Sequence, residues 1–99
     1  MSMKQVMRIS LSMEELMTII LKVNQEEGKG QRLAFDLRLF AIQDVRGIRI
    51  RYSGMEYNPF GSRQRLQEED YMGVRMIYGL AESVIYQRTF GMNVLRIMI

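Results

Sequence analysis

Residues 33–52, LAFDLRLFAIQDVRGIRIRY, decide how this chain folds. Between Leu33 and Ala41 apolar and polar side chains alternate, with Phe35, Leu37 and Leu39 on one side and Asp36 and Arg38 on the other. A period of two predicts a strand buried on one face only. From Val45 to Tyr52 the alternation resumes, with Ile48, Ile50 and Tyr52 facing one way and Arg49 and Arg51 the other. Only the short Gln43-Asp44 segment separates the two runs, so an antiparallel hairpin is the simplest connection.

Upstream, Ser12-Met13-Glu14-Glu15 has the form of a capping box and predicts a helix start. Met13, Leu16, Met17, Ile20 and Val23 then fall at helical spacing, which gives a helix over residues 11–26 that ends in the polar, glycine-marked stretch from Asn24 to Gly30. Downstream, residues 53–69 carry two glycines, the single proline and a dense polar run, the composition of a long loop. Asp70 is a candidate N-cap for a second helix over residues 70–83, with Val74, Ile77, Tyr78 and Ala81 at helical spacing and with Gly73 and Gly79 lowering its propensity. The chain closes with strands over residues 84–90 and 93–99 joined at Gly91-Met92, a terminal hairpin. The order is helix, two strands, loop, helix, two strands. It predicts an α+β fold, a two-layer α/β sandwich with a mixed or antiparallel sheet and helices on one face.

The chain has 99 residues, 47% hydrophobic and 25% charged, which fits a single domain over residues 1–99 with one core. It has no cysteine and no histidine, so thiolate sites, disulfides and the commonest general base are all missing. No apolar run approaches the roughly 18 residues that cross a bilayer. The start MSMKQVMRIS has no signal-peptide core, so a cytoplasmic location with no membrane partner is expected. Ten methionines suit an adaptable core or a subunit contact.

Three stretches carry a resemblance. Met13-Glu14-Glu15-Leu16-Met17-Thr18-Ile19-Ile20 looks like the N-box helix of the histidine-kinase-like (GHKL) ATPases. Arg51-Tyr52-Ser53-Gly54-Met55-Glu56-Tyr57-Asn58-Pro59-Phe60 is similar to that family's Asp-x-Gly segment followed by Phe-Asn/Asp-Pro, the form typical of anti-sigma-factor kinases. Tyr71-Met72-Gly73-Val74-Arg75-Met76-Ile77 corresponds to the glycine pair and helix start beneath the nucleotide phosphates. The ending from Tyr86 to Asn93 looks like the last hairpin of the same domain. Together these cover residues 9–99, without the strand and long helix that usually precede the N-box, as in a truncated domain or one piece of a longer protein.

The resemblance implies a site residue by residue. Glu15 matches the glutamate that positions or deprotonates the attacking group, or it is only the capping partner of Ser12. Ile19 stands where the magnesium-binding asparagine is expected, and an isoleucine offers magnesium no oxygen. Tyr52 replaces the adenine-reading aspartate. Gly54 is retained, for close backbone approach or for a turn. Gly73 is present under the phosphates with Tyr71 in place of its partner glycine. Asn93 matches a polar position near adenine or is turn chemistry. Arg63 and Arg65 would lie in the lid loop, meeting phosphate or solvent.

The family's chemistry is therefore altered at the magnesium, adenine and phosphate positions. The expected function is a degenerate GHKL module in regulation or protein–protein interaction, with weak or no ATP binding and no enzymatic activity. No cofactor is expected, with Mg-ATP the one the family would use. The alternative is an ATP-binding serine/threonine protein kinase of the anti-sigma type. The implied partners are a protein, of the sigma-factor or anti-sigma-antagonist kind, and a second copy in a homodimer that covers the face the missing helix would have packed on. Arg38, Arg49, Arg51 and Arg96 fall on the polar sides of the strands. No aromatic platform interleaves them, so a solvated face is expected rather than a nucleic-acid interface.

Overall fold

The computed structural model describes residues 3–28, 31–43 and 45–99. Lys29 and Gly30 of the glycine-marked stretch and Asp44 of the first predicted turn lie outside the described residues. The elements run α1 (Met3–Glu27), β1 (Phe35–Ile42), β2 (Val45–Tyr52), a one-turn α2 (Arg63–Leu66), a 3-10 turn (Glu69–Tyr71), α3 (Met72–Leu80), β3 (Ser83–Thr89) and β4 (Met92–Met98). The strands form one antiparallel sheet in the order β1-β2-β4-β3. The result is the expected two-layer α+β arrangement, with α1 and α3 against one face of the sheet.

The core lies where the apolar periods of helix and strand meet. Leu16, Ile19, Ile20 and Val23 of α1 and Val74 and Ile77 of α3 are buried with Ile48 and Ile50 of β2 and Leu95 and Ile97 of β4. Burying a side chain of this size stabilises the fold by about 2 kcal/mol each. Register explains why the two central strands supply the sheet's share. Leu37 and Leu39 pair with Ile50 and Ile48 and so share their face, yet they remain 42% and 73% exposed because no helix covers the β1 edge.

Several boundaries differ from the sequence expectation. Helix α1 begins at Met3, not near residue 11. Ser12 is therefore in mid-helix, 1% exposed, with its hydroxyl 3.9 Å from the Met76 sulfur. It caps nothing, and the Ser12/Glu15 spacing is helix interior that happens to match a capping box. The region expected to be a loop contains α2, whose N-terminus Ser62 caps by accepting from the Arg65 amide, and the 3-10 turn. Asp70 sits inside that turn and binds Lys22 of α1 at 3.0 Å rather than capping α3. The last turn is centred on Phe90-Gly91, both at positive φ, one residue earlier than expected. That is the backbone a two-residue hairpin loop requires.

Candidate nucleotide site

Asn93 is the hub of the region that the resemblance assigns to adenine. It opens β4 opposite Tyr52 of β2 and is completely buried. Its Nδ2 donates to the Tyr52 carbonyl at 3.1 Å and the Met55 carbonyl at 3.0 Å. Its Oδ1 accepts from the Tyr57 amide at 3.1 Å and the Tyr86 hydroxyl at 2.5 Å. One amide side chain thus uses both donors and both lone pairs to tie the segment after β2 onto the final hairpin.

Three tyrosines and a second asparagine close the space around it. The Tyr52 hydroxyl donates to the Tyr57 carbonyl, and the Tyr57 and Tyr71 hydroxyls bond to each other at 2.6 Å. From α1, Asn24 accepts from the Met55 amide at 3.3 Å and donates to the Gln31 carbonyl at 2.9 Å. Gly54 has φ +89°, and a Cβ there would lie 2.4 Å from the Asn24 Oδ1. The glycine is thus required both by the turn and by the approach of Asn24. Its carbonyl accepts from Arg88 at 3.0 Å. The gap lined by Ile20, Asn24, Leu33, Tyr52 and Tyr57 leaves no room for a water molecule.

Burial raises the phenols of Tyr52 and Tyr57 far above the ordinary tyrosine range, with the Tyr71 hydrogen bond adding to it for Tyr57. Burial also raises Tyr86. All three stay neutral, which keeps the network intact at any physiological pH.

The other expected residues gather elsewhere. Gly73 is buried where α3 crosses α1, and a Cβ on it would lie 2.6 Å from the Cβ of Glu15 and 2.1 Å from its carboxylate. Glu15 and Gly73 therefore meet, and what they make is a close helix crossing. Ile19 is part of the core. Tyr71 is buried at the N-cap position of α3 and makes no side-chain cap bond.

The groove beside this crossing, about 550 Å³, is lined by Glu14, Glu15, Glu69 and Asp70 with Lys22 as its lysine. Lys22 is already held by Asp70, whose hydrogen bond raises its pKa. Carboxylates at the start of α3 complement the helix dipole and set a negative field at the position the resemblance assigns to phosphate. Of the two arginines the resemblance would put in a lid loop, both of which lie in α2, Arg65 is 3.6 Å from Glu27 at the end of α1 and Arg63 is exposed.

Sequence reasoning missed Asn24, Tyr57 and Arg75. Arg75 donates to the Leu66 and Glu68 carbonyls and pins the segment after α2 against α3. The signal for Asn24 was its position on the buried stripe of α1, one residue after Val23. Tyr57 and Arg75 act through contacts between elements, Tyr57 to Asn93 and Tyr71 and Arg75 back to the segment after α2, which no periodicity marks. Comparison with known protein families, with curated proteins and with solved structures gave no match.

Proposed function

We propose that this chain is a GHKL-shaped regulatory module that works by binding protein and has given up nucleotide. The observation that carries it is the Asn93 hub: Asn93, which matches a polar position near adenine, spends all its side-chain hydrogen-bonding groups on Tyr52, Met55, Tyr57 and Tyr86 of its own chain. The acidic groove at the start of α3 supports it from the phosphate side.

An apolar face runs along α1 and β1. Val6, Ile9, Met13, Leu37, Leu39 and Ile99 border a groove of about 820 Å³ there. Strand β1 is also a sheet edge, and beside its charged Asp36 and Arg38 it exposes Leu37 and Leu39. A second copy is the occupant that fits. Antiparallel pairing of two β1 strands would bring Leu37 and Leu39 of each copy together and cover both grooves. A sigma factor or anti-sigma antagonist as the regulated partner rests on the resemblance alone. No helix among the described residues is long and apolar enough to cross a membrane.

Light scattering on the whole chain should give about twice the 11.7 kDa chain mass, and Leu39→Glu should return it to monomer with its circular dichroism unchanged. A wild-type monomer at high protein concentration, or a dimer indifferent to Leu39→Glu, would contradict this arrangement.

A further inference from the structure

The face of the sheet turned away from the helices carries a row of like charges. Arg38 pairs directly with Arg49 between β1 and β2, and Arg49 pairs directly with Arg96 between β2 and β4. Directly opposed like charges destabilise a sheet, and paired strands lie only about 4.8 Å apart. One row further along, Arg51 is bound by Asp36 through its Nε at 2.9 Å. Asp36 is the carboxylate the described strands place on this face. Its pKa is held low, first by that hydrogen bond and then by the charges of Arg51, Arg38 and Arg49. Arg96 reaches Gln87 at 2.6 Å, whereas Arg38 and Arg49 have no acceptor among the described residues.

The described strands place four arginines and one aspartate on this face, a surplus of three positive charges. The helix layer, by contrast, gathers Glu14, Glu15, Glu69 and Asp70 around one groove.

Apolar groups flank the arginine row. Phe40, in the row alongside, lays its ring over Gly47, where a Cβ would come within 2.2 Å of it. At the far end of the arginine row Ile85 of β3 faces Arg96 and is 47% exposed. Met98 shares the Phe40 row and Val94 the Arg51 row, and both are half-buried.

We propose that this open face binds an acidic, partly apolar peptide segment of a partner protein. Its carboxylates meet Arg38, Arg49 and Arg96, and its apolar side chains seat against Phe40 and Ile85. Charge complementarity chooses an anion, and guanidinium forks suit carboxylates held two-pronged. The composition of the face chooses a peptide over a nucleic acid. Single-strand readers stack successive bases on several aromatic rings, and here Phe40 is the one ring the described strands place on this face, beside aliphatic and small polar side chains. The site uses the sheet face opposite the helices and does not depend on the proposed β1 dimer or on the state of the nucleotide region.

Fluorescence anisotropy with the full chain tests it, using a labelled short peptide of alternating Glu or Asp with Leu or Val. The same peptide with Gln and Asn for its acids, and an oligothymidylate, complete the set. The acidic peptide should bind and its amide counterpart should not. Replacing Arg38, Arg49 and Arg96 together by glutamine should weaken binding at least about tenfold. The same charge change off the face, at Arg8, Arg32 and Arg63, should weaken it far less, and Ile85→Ser should also reduce it. Arg49→Gln alone stands in if the triple variant fails to fold. Equal losses in the two triple variants would reduce the effect to bulk charge and overturn the proposal. So would no binding of the acidic peptide, or tighter, steeply salt-dependent binding of the oligothymidylate.

Discussion

Replacing Asn93 with alanine should remove about 4 kcal/mol of stability, most of what a domain of this size has to lose. The substitution strands the Tyr57 amide and the Tyr52 and Met55 carbonyls, all of which bond to Asn93 at 3.0–3.1 Å, and leaves the Tyr86 hydroxyl without its acceptor. A buried polar group without a partner costs roughly 1–3 kcal/mol, and water can reach only some of them because Asn93 itself is fully buried. Asn93→Asp should be no better, since it exchanges two donors for acceptors facing two carbonyls and buries a charge. Urea denaturation followed by circular dichroism measures this. If Asn93→Ala unfolded within about 1 kcal/mol of wild type, the residue would be a ligand contact or ordinary turn chemistry and the hub would not be what holds the hairpins together.

The second large effect belongs to Gly73. Glycine to alanine inside a helix ordinarily stabilises it by about 1 kcal/mol. Here the new methyl would meet the Glu15 Cβ at 2.6 Å and its carboxylate at 2.1 Å. The carboxylate can swing away, but the Cβ is fixed to the α1 backbone, so the two helices must part. Overpacking of this kind costs roughly 1–3 kcal/mol, and Gly73→Ala is expected to lose about 2 kcal/mol net of the propensity gain. Combining it with Glu15→Ala, which removes the carboxylate and keeps the Cβ, should recover only part of the loss. A thermal or urea double-mutant cycle reads that coupling. Were Gly73 kept for phosphate instead, Gly73→Ala would leave stability unchanged or raised, and no coupling to Glu15 would appear.

How much of this was legible in the sequence follows from how local each signal is. Strands β1 and β2 were readable because a period of two ran through Phe35-Leu37-Leu39 and Ile48-Ile50-Tyr52, and the terminal hairpin for the same reason. The start of α1 was not, because Ser12-x-x-Glu15 imitates a cap and drew the boundary inward. The helical spacing in fact continues back through Met3, Val6, Met7 and Ile9. The α2 turn and the 3-10 turn are single turns held by tertiary contacts, Arg75 to the Leu66 and Glu68 carbonyls and Lys22 to Asp70. Propensity carries no trace of such contacts.

The site divides in the same way. Position in the chain picked out Tyr52, Gly54 and Asn93, and these three do converge. Position could not say that Asn93 is saturated by Tyr52, Met55, Tyr57 and Tyr86 or that Asn24 packs against Gly54, because those contacts bring separate segments together. Glu15 and Gly73 also meet, but at a distance that leaves room for no third group. The arginines were visible as residues on the polar sides of strands. What only the register could show is that three of them stand in one cross-strand row with Phe40 beside it.

The most direct test of the central claim is a titration of the intact chain with Mg-ATP, watching the backbone amides of Gly54, Met55 and Tyr57 by two-dimensional NMR. A region closed by its own Asn93 and tyrosine network should give no saturable shift at these amides up to about millimolar nucleotide. Saturable shifts there with a dissociation constant of about micromolar, lost in Asn93→Ala under conditions where that variant stays folded, would show that nucleotide enters after all.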